Sequence, residues 1–534
     1  MEKDDPSRGY VISTLFFVSG LVTLIQATVG VRLPIIQGGT FSFFAPTFAI
    51  LSLSHNQCPA DFDDNGWGDI SYEDKTEEWQ KRMREVQGAI IVASLVQVII
   101  GYFGIVGLVL KYITPLTIVP AVSMIGLALF DVAGDYAAKN WGVAMGTIIC
   151  MTLFSQYLRN VSVPWLSYKK GKIQSCRVDM FKLFPVLMTI LFMWFLCAII
   201  TVSGGFDETD PARTDLKLST LYSSQWIRIP YPCKKFSSLF AFTRKKFSYL
   251  FTFSVQWGWP TVTIAGVFGM MAGVLASAIE SIGDYYACAR LSGAPPPPTH
   301  AINRGIGTEG IGCIIAGIFG TGNGTTSYSE NIGAIGVTKV GSRRVIQYGG
   351  LIMIFFGLIS KFGAVFVLIP EPIVGGIFCI MFGMIAAVGL SNLQFVNLNS
   401  TRNLFVLGFS VFFALVVSKW LKKHPDAISF GDDPENAALQ TFAQVIKVLL
   451  ETSMFVAGFL GFFLDNTIPG TPEERGLIKW NAQHEEVKES SNETSNCYDL
   501  PFGMNLLRKW TWTQYLPFSP TFKGWRFQNK VRPQ

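Results

Sequence analysis

Apolar runs of about 18 to 25 residues recur along nearly the whole of this 534-residue chain, each long enough to cross roughly 30 Å of hydrocarbon. One such run fits the buried helix of a soluble protein; a long series of them does not. Composition agrees. Half of the residues are hydrophobic, 15% are charged and 14% are aromatic, with 44 Phe and a mean hydropathy of +0.37. A soluble domain carries more charge and breaks its apolar runs sooner. The fold class is therefore an all-α polytopic membrane protein. Spans are expected near 10–29, 34–53, 87–110, 114–133, 142–158, 181–203, 261–289, 305–320, 330–345, 347–369, 371–391, 404–420 and 441–465, about thirteen in all.

Several classes of function find no support. The net charge of +6 is spread out with no basic stripe, so nucleic acid is not an implied partner. Nine Cys lack metal spacing and four His fall in loops or tails, so no zinc, haem or other cofactor is implied. A Walker loop is absent, which leaves an ion gradient as the energy source. No nucleophile–base constellation points to an enzyme. The first apolar run, from Tyr10 to about Val29, lacks a small-residue cleavage site and reads as a span rather than a signal peptide.

Loop charge sets the expected orientation. Arg159, Lys169, Lys170, Lys172 and Arg177 cluster in one loop, Arg290 and Arg304 flank a second, and Lys339, Arg343 and Arg344 lie in a third. These read as cytoplasmic. The acidic stretch from Asp61 to Glu85 and the polar stretch 204–230 then lie outside. The domain reading is a short tail over 1–9, a transporter domain over 10–471 with exterior loops 54–86 and 204–260, and a cytoplasmic C-terminal tail over 472–534. Cys58 and Cys233 both fall in exterior loops, where a disulfide persists, and are candidates for a bridge.

Two stretches interrupt the apolar pattern with Gly, Pro, Ser and Thr: 38–46 and 320–330. Non-helical backbone survives in a membrane only where protein or a water-filled cavity covers it. One broken segment in each half is the sequence sign of a midplane site made by an inverted repeat. Ionisable residues inside spans are costly and mark function. Glu280 and Asp284 stand at i and i+4 beside Ser277 and Ser281, a polar stripe on one helical face. Serines alone would satisfy a helix–helix seam; two carboxylates suit a cation or a ligand presenting N–H donors. Glu330-Asn331 follows the second broken stretch, where a restarting helix presents free N–H groups beside a carboxylate. That pairing answers the amide edge of a heterocycle, and the oxygens there also suit sodium. Asp131, Lys339 and Lys361 lie near span ends and Glu309 opens a span at a helix N-terminus, so simple structural roles are expected for them. Glu451 sits nearer a span interior with no polar neighbourhood.

Glu330-Asn331-Ile332-Gly333-Ala334-Ile335-Gly336-Val337-Thr338-Lys339 resembles the signature of the nucleobase–ascorbate transporter family: Gln, Glu or Pro, then Asn-x-Gly, four variable residues, Thr, and Arg, Lys or Gly. The segments 320–324, 339–344 and 280–290 resemble its vertebrate branch, solute carrier family 23, and the likeness runs from about residue 10 to near Gly524. Ascorbate carriers have Pro at the first motif position and nucleobase carriers have Glu or Gln, so Glu330 makes the chain most similar to the sodium-dependent nucleobase carriers. The resemblance implies a seven-plus-seven inverted repeat with core and gate domains, a homodimer in the plasma membrane, and sodium-coupled uptake of uracil, thymine, guanine, hypoxanthine or xanthine. It implies that Glu280 and Glu330 contact the base, that Asn331 shapes the site, and that Phe41, Ser42 and Phe43 supply backbone N–H groups and an aromatic wall. Asp284 with Ser327 or Ser329 is the expected sodium site.

The chain departs from the family pattern twice. The family's first span, which carries a Gln-His pair, has no counterpart here, and that explains the odd count. Lys234–Val255, with Arg244-Lys245-Lys246 between aromatic runs, interrupts a family-like stretch as an atypical insert; retained intronic sequence or a gene-model artefact is the leading explanation of both departures, and an amphipathic hairpin at the interface is the functional alternative. Beside the nucleobase reading stand a sodium-dependent ascorbate carrier, which Glu330 disfavours, and a transport-inactive form that only associates with other chains.

Overall fold

The computed structural model describes residues 5–53, 56, 72–106, 114–169, 172–230, 256–424, 427–428, 437–477 and 495–522. Cys58, Cys233 and the insert 234–255 lie outside them. Seven of the described helices are long and apolar enough to cross a membrane alone, and an eighth span forms if one bent pair is counted together. The expected all-α polytopic fold is what the chain adopts.

Two groups of elements pack as separate bundles. The first holds α1 (Ser7–Thr28), β1 (Gln37–Gly39), α2 (Phe44–Leu51) and α3 (Tyr72–Tyr102) from the N-terminal half. The second begins with α4 (Pro115–Leu127), α5 (Phe130–Ala138), α6 (Trp141–Thr152) and, after a hairpin of β2 (Val163–Lys169) and β3 (Lys172–Val178), α7 (Pro185–Val202). The chain then returns to the first bundle with α8 (Ile264–Ser292), α9 (Thr299–Phe319), β4 (Thr325–Ser327), α10 (Ser329–Thr338), α11 (Arg343–Leu358) and α12 (Ser360–Val367). It ends in the second with α13 (Glu371–Ser391), α14 (Thr401–Lys423), α15 (Ala437–Glu451) and α16 (Ser453–Thr467). α3 lies along α9 and α1 along α11 in one bundle, while α13 and α16 pack on α4 in the other. The second bundle is pinned by Asp465, fully buried, which takes Arg402 at 2.9 Å, Arg475 at 2.8 Å and the Thr114 hydroxyl at 2.8 Å.

The two broken stretches meet in the first bundle. β1 and β4 pair antiparallel, Gln37 opposite Ser327 and Gly39 opposite Thr325, each followed by a short helix. The pairing satisfies backbone groups that would otherwise stand open in the membrane. Glycine makes it close enough: a Cβ at Gly38 would lie 2.6 Å from the Tyr328 ring. At Gly320 the α9 helix ends in the left-handed region, φ +70°, a conformation glycine adopts freely.

Several boundaries differ from the sequence reading for physical reasons. α3 starts at Tyr72, because part of the acidic stretch read as loop is its solvent-side extension. α9 starts after Pro298, so Arg304 is not a loop residue but sits inside the helix, buried, donating to the Gly30 carbonyl at 2.7 Å. The apolar run 347–369 is two helices; at their break Leu358 and Ser360 bond to the backbone of Arg228 and Trp226 at 3.0 and 3.1 Å. The run 441–465 is likewise two helices, bent 85° at Thr452. The basic loop over 159–178 forms the β2–β3 hairpin.

Part of the C-terminal segment straps across one end of the first bundle. Tyr498 is fully buried and its hydroxyl donates to the Pro295 carbonyl, while Arg304 and Arg343 donate to the carbonyls of Tyr498 and Cys497 at 2.7 and 3.1 Å. Asn303 donates to the Pro517 carbonyl at 3.1 Å, and the ring of Phe518 meets that of Tyr102 edge-on at 5.1 Å.

Candidate functional site

α8 supplies the central stripe. Thr263 caps its N-terminus, accepting from the Gly266 N–H at 3.2 Å, and the helix then runs unbroken past Glu280, Ser281, Asp284 and Tyr285. The 3.6-residue period puts these four on adjoining faces toward β4 and α10. Asp284 accepts from the Ser329 hydroxyl at 2.9 Å through Oδ1, and its buried Oδ2 has no hydrogen-bond partner. Glu280 Oε2 lies 3.5 Å from the Ser42 hydroxyl, on the turn between β1 and α2. Glu330, exposed in the first turn of α10, is within electrostatic reach of Glu280.

The most tightly held carboxylate is Glu309, which the sequence reading set aside as a helix-end residue. It lies in the middle of α9, fully buried, because that helix begins two turns earlier than the hydropathy suggested. One oxygen accepts from Ser281 at 2.6 Å and Thr326 at 2.8 Å; the other accepts from Tyr285 at 2.9 Å and Ser327 at 3.4 Å. Behind these, Gln26 donates to the Tyr285 hydroxyl at 2.8 Å and Gln37 to Ser327 at 2.9 Å. A carboxylate with four hydroxyl donors is well solvated by protein, and among the described residues no Lys or Arg side chain pairs with it. The sequence signal was available in hindsight: Thr299 directly after Pro295–Pro298 is a better helix start than position 305.

The structure therefore divides the expected sodium set. Ser329 joins Asp284, whereas Ser327, on β4, turns to Glu309. Ser327 ends the strand and Ser329 opens the helix after it, so the strand-to-helix turn between them sends the two side chains to different carboxylates. Among the described residues no three of Asp, Glu, His and Cys converge as a metal-holding group. An ion held here would take a single carboxylate with hydroxyl and carbonyl oxygens around it.

Asn331 accepts from the Ile36 N–H at 2.9 Å and donates to the Pro34 carbonyl at 3.3 Å, so both ends of its amide fix the approach to β1. The Ser42 N–H is taken by the Thr40 hydroxyl at 3.2 Å. Phe41 meets Phe382 of α13 edge-on at 5.2 Å and so forms wall on the seam between the bundles. Phe43 is fully buried, its ring filling the space over Gly324, and serves as packing behind the turn.

The residues set aside as structural are mostly paired. Asp131 holds Lys419 at 2.6 Å, and Lys361 lies over the Trp226 ring at 4.5 Å. Glu451 departs from expectation: it is buried and accepts from the Ser52 hydroxyl at 2.7 Å.

Two bundles meeting at a seam, crossed half-helices and unpaired carboxylates inside the membrane define a membrane transporter. Comparison with known proteins gives the family. Residues 1–423 match the model described as Permease family. The chain is 48% identical over 539 residues to solute carrier family 23 member 1 of Mus musculus, covering 99% of this chain and 84% of that one. It is 48% identical over 538 residues to solute carrier family 23 member 2 of Homo sapiens, covering 98% and 77%, and 34% identical over 507 residues to nucleobase-ascorbate transporter 7 of Arabidopsis thaliana, covering 93% and 85%. The transmembrane domain of a cyanobacterium bicarbonate transporter, BicA, superposes with a TM-score of 0.39 at 12% identity, covering 84% of this chain and 93% of that one. The chain belongs to the nucleobase–ascorbate transporter family, solute carrier family 23.

Proposed function

We propose that this transporter takes up nucleobases of the uracil, thymine, guanine, hypoxanthine and xanthine class, coupled to sodium, across the plasma membrane. The observation that carries the reading is the charge of the site. Glu280, Asp284, Glu309 and Glu330 gather around the β1–β4 crossing, and no Lys or Arg side chain pairs with any of them among the described residues. Such a site accepts N–H donors from a neutral heterocycle and repels an ascorbate anion. Glu330, open at the head of α10, and Glu280, behind it on α8, are the base-contacting pair; Phe41 gives the ring a wall on the seam. Excess negative charge among intramembrane side chains also calls for a cation, and Asp284 with Ser329 offers sodium the oxygens it prefers. The protein works as a homodimer with its C-terminal segment in the cytoplasm, on the side of the basic loops.

The test is radiolabelled uracil uptake into cells expressing the chain, in sodium and with choline in its place. Sodium-dependent accumulation, blocked by unlabelled nucleobase and not by ascorbate, is expected. Glu330→Ala should cut uptake at least tenfold, since the lost acceptor leaves a substrate N–H unpaired. A Glu330→Ala variant as active as its parent refutes the role given to Glu330.

A further inference from the structure

The seam between the bundles is sealed at one end and open at the other. Near the start of α8 it is dry: Ala49, Leu53, Ala265 and Val448 form one buried cluster, and a Cβ at Gly269 would lie 2.3 Å from Val448. Near the end that carries the C-terminal strap the contrast is plain. Ser329 and Glu330 are exposed, and a Cβ at Gly283 or Gly333 would meet no atom within 4 Å.

A polar contact crosses the sealed end. Ser52, capping the C-terminus of α2 in the first bundle, donates to Glu451 Oε2 at 2.7 Å; its oxygen also lies 2.8 Å from the Ala49 carbonyl. Glu451 is the last residue of α15 in the second bundle and is 4% exposed. A carboxylate at a helix C-terminus faces the negative end of the dipole, an unfavourable place for a residue with no task there. The helix stops at that point although neither Glu451 nor Thr452 is Pro or Gly. Ser418 of α14 accepts from Ser453 at 2.8 Å and donates to the Glu451 carbonyl at 2.9 Å, holding the 85° bend that aims the carboxylate at α2.

We infer that Ser52 and Glu451 form the latch that keeps the seam shut at the end opposite the strap, so that a transport cycle must break this bond to expose the site on that side. The latch rests on the chain being a transporter with its site on the seam; it does not depend on which substrate is carried.

The test avoids substrate altogether. Val448→Cys places a thiol in the sealed cluster, one turn before Glu451. Its modification by a charged maleimide is followed in permeabilised membranes, by mass spectrometry of the peptide carrying residue 448, so that native cysteines and membrane orientation do not enter. Ser52→Ala in this background should speed labelling about tenfold, the population shift expected on losing a hydrogen bond to a carboxylate. Glu451→Gln, which keeps an amide oxygen for Ser52, should speed it less. Ser418→Ala loosens the bend that aims the carboxylate but leaves both partners of the crossing bond in place, and should speed labelling less than Ser52→Ala. The latch is refuted if Ser52→Ala and Glu451→Gln both label at the parental rate, or if Ser418→Ala, which can act on the latch only through that bond, accelerates labelling more than Ser52→Ala. Loss of uracil uptake in all variants would leave this readout unaffected.

Discussion

Glu309→Ala separates a hydrogen-bonded hub from a carboxylate buried by chance. The substitution removes the acceptor for hydroxyls at 2.6, 2.8 and 2.9 Å, with a fourth at 3.4 Å. Ser281 and Thr326 stand 2.9 Å apart, so one can take the other's proton and a single donor of that pair is stranded. Tyr285 and Ser327 also meet side chain to side chain, so one can take the other's proton and a single donor of this pair is stranded as well. Two stranded buried donors at about 1–3 kcal/mol each give roughly 2–6 kcal/mol, before any cavity term. Against a typical stability of about 5–15 kcal/mol that is enough to lower the melting temperature plainly. Glu309→Gln keeps the shape and one acceptor, and its amide nitrogen finds lone pairs on the facing hydroxyls, which puts its cost near one stranded donor, about 1–3 kcal/mol. The order of melting temperatures for purified protein in detergent should therefore be parent, then Gln, then Ala. In uptake assays Glu309→Gln should reach the cell surface and fail to transport, because the charge is lost while the framework stays. Equal melting of Ala and parent would refute the hub, and full transport by Glu309→Gln would refute any use of its charge.

Other perturbations probe the frame around the site. Asp465→Asn removes the charge between Arg402 and Arg475 in a fully buried position and should cost about 3–5 kcal/mol, read as loss of monodisperse protein on gel filtration. Gly38→Ala forces a methyl group to within 2.6 Å of the Tyr328 ring and should abolish transport; Gly38→Ala with Tyr328→Ala should recover part of the lost surface expression if the clash is the cause. Arg304→Lys cannot reach both the Gly30 and Tyr498 carbonyls, so limited proteolysis should release the strap about tenfold faster than in the parent.

The features legible from sequence were those that clash with their own neighbourhood. Glu280 and Asp284 stood out as carboxylates one turn apart in an apolar run, and Glu330-Asn331 followed a stretch that no membrane helix tolerates. Both signals are local, and the structure brings both to one place. Glu309 escaped because its meaning depends on where α9 starts, and that start is fixed by Pro298 and by packing on α3 rather than by hydropathy. The Thr452 bend escaped for the same reason: Ser418 lies 33 positions before Glu451, and no local breaker marks the site. Which serine serves which carboxylate could not be read at all, since Ser327 and Ser329 differ only in standing on opposite sides of a strand-to-helix turn.

The β1–β4 ladder has a consequence for how the protein is made. Gln37 and its partner Ser327 are 290 positions apart. At about 5–20 residues per second, a ribosome needs roughly 15–60 s to deliver the second strand after the first. Throughout that interval the Gly38-Gly39 segment waits in or beside the bilayer without its ladder partner. A chain released before Thr325 carries an unpaired strand edge, the feature membrane surveillance and aggregation both seize upon. The transport site is thus completed only late in synthesis, and fragments ending short of the second strand are expected to be destroyed rather than stored.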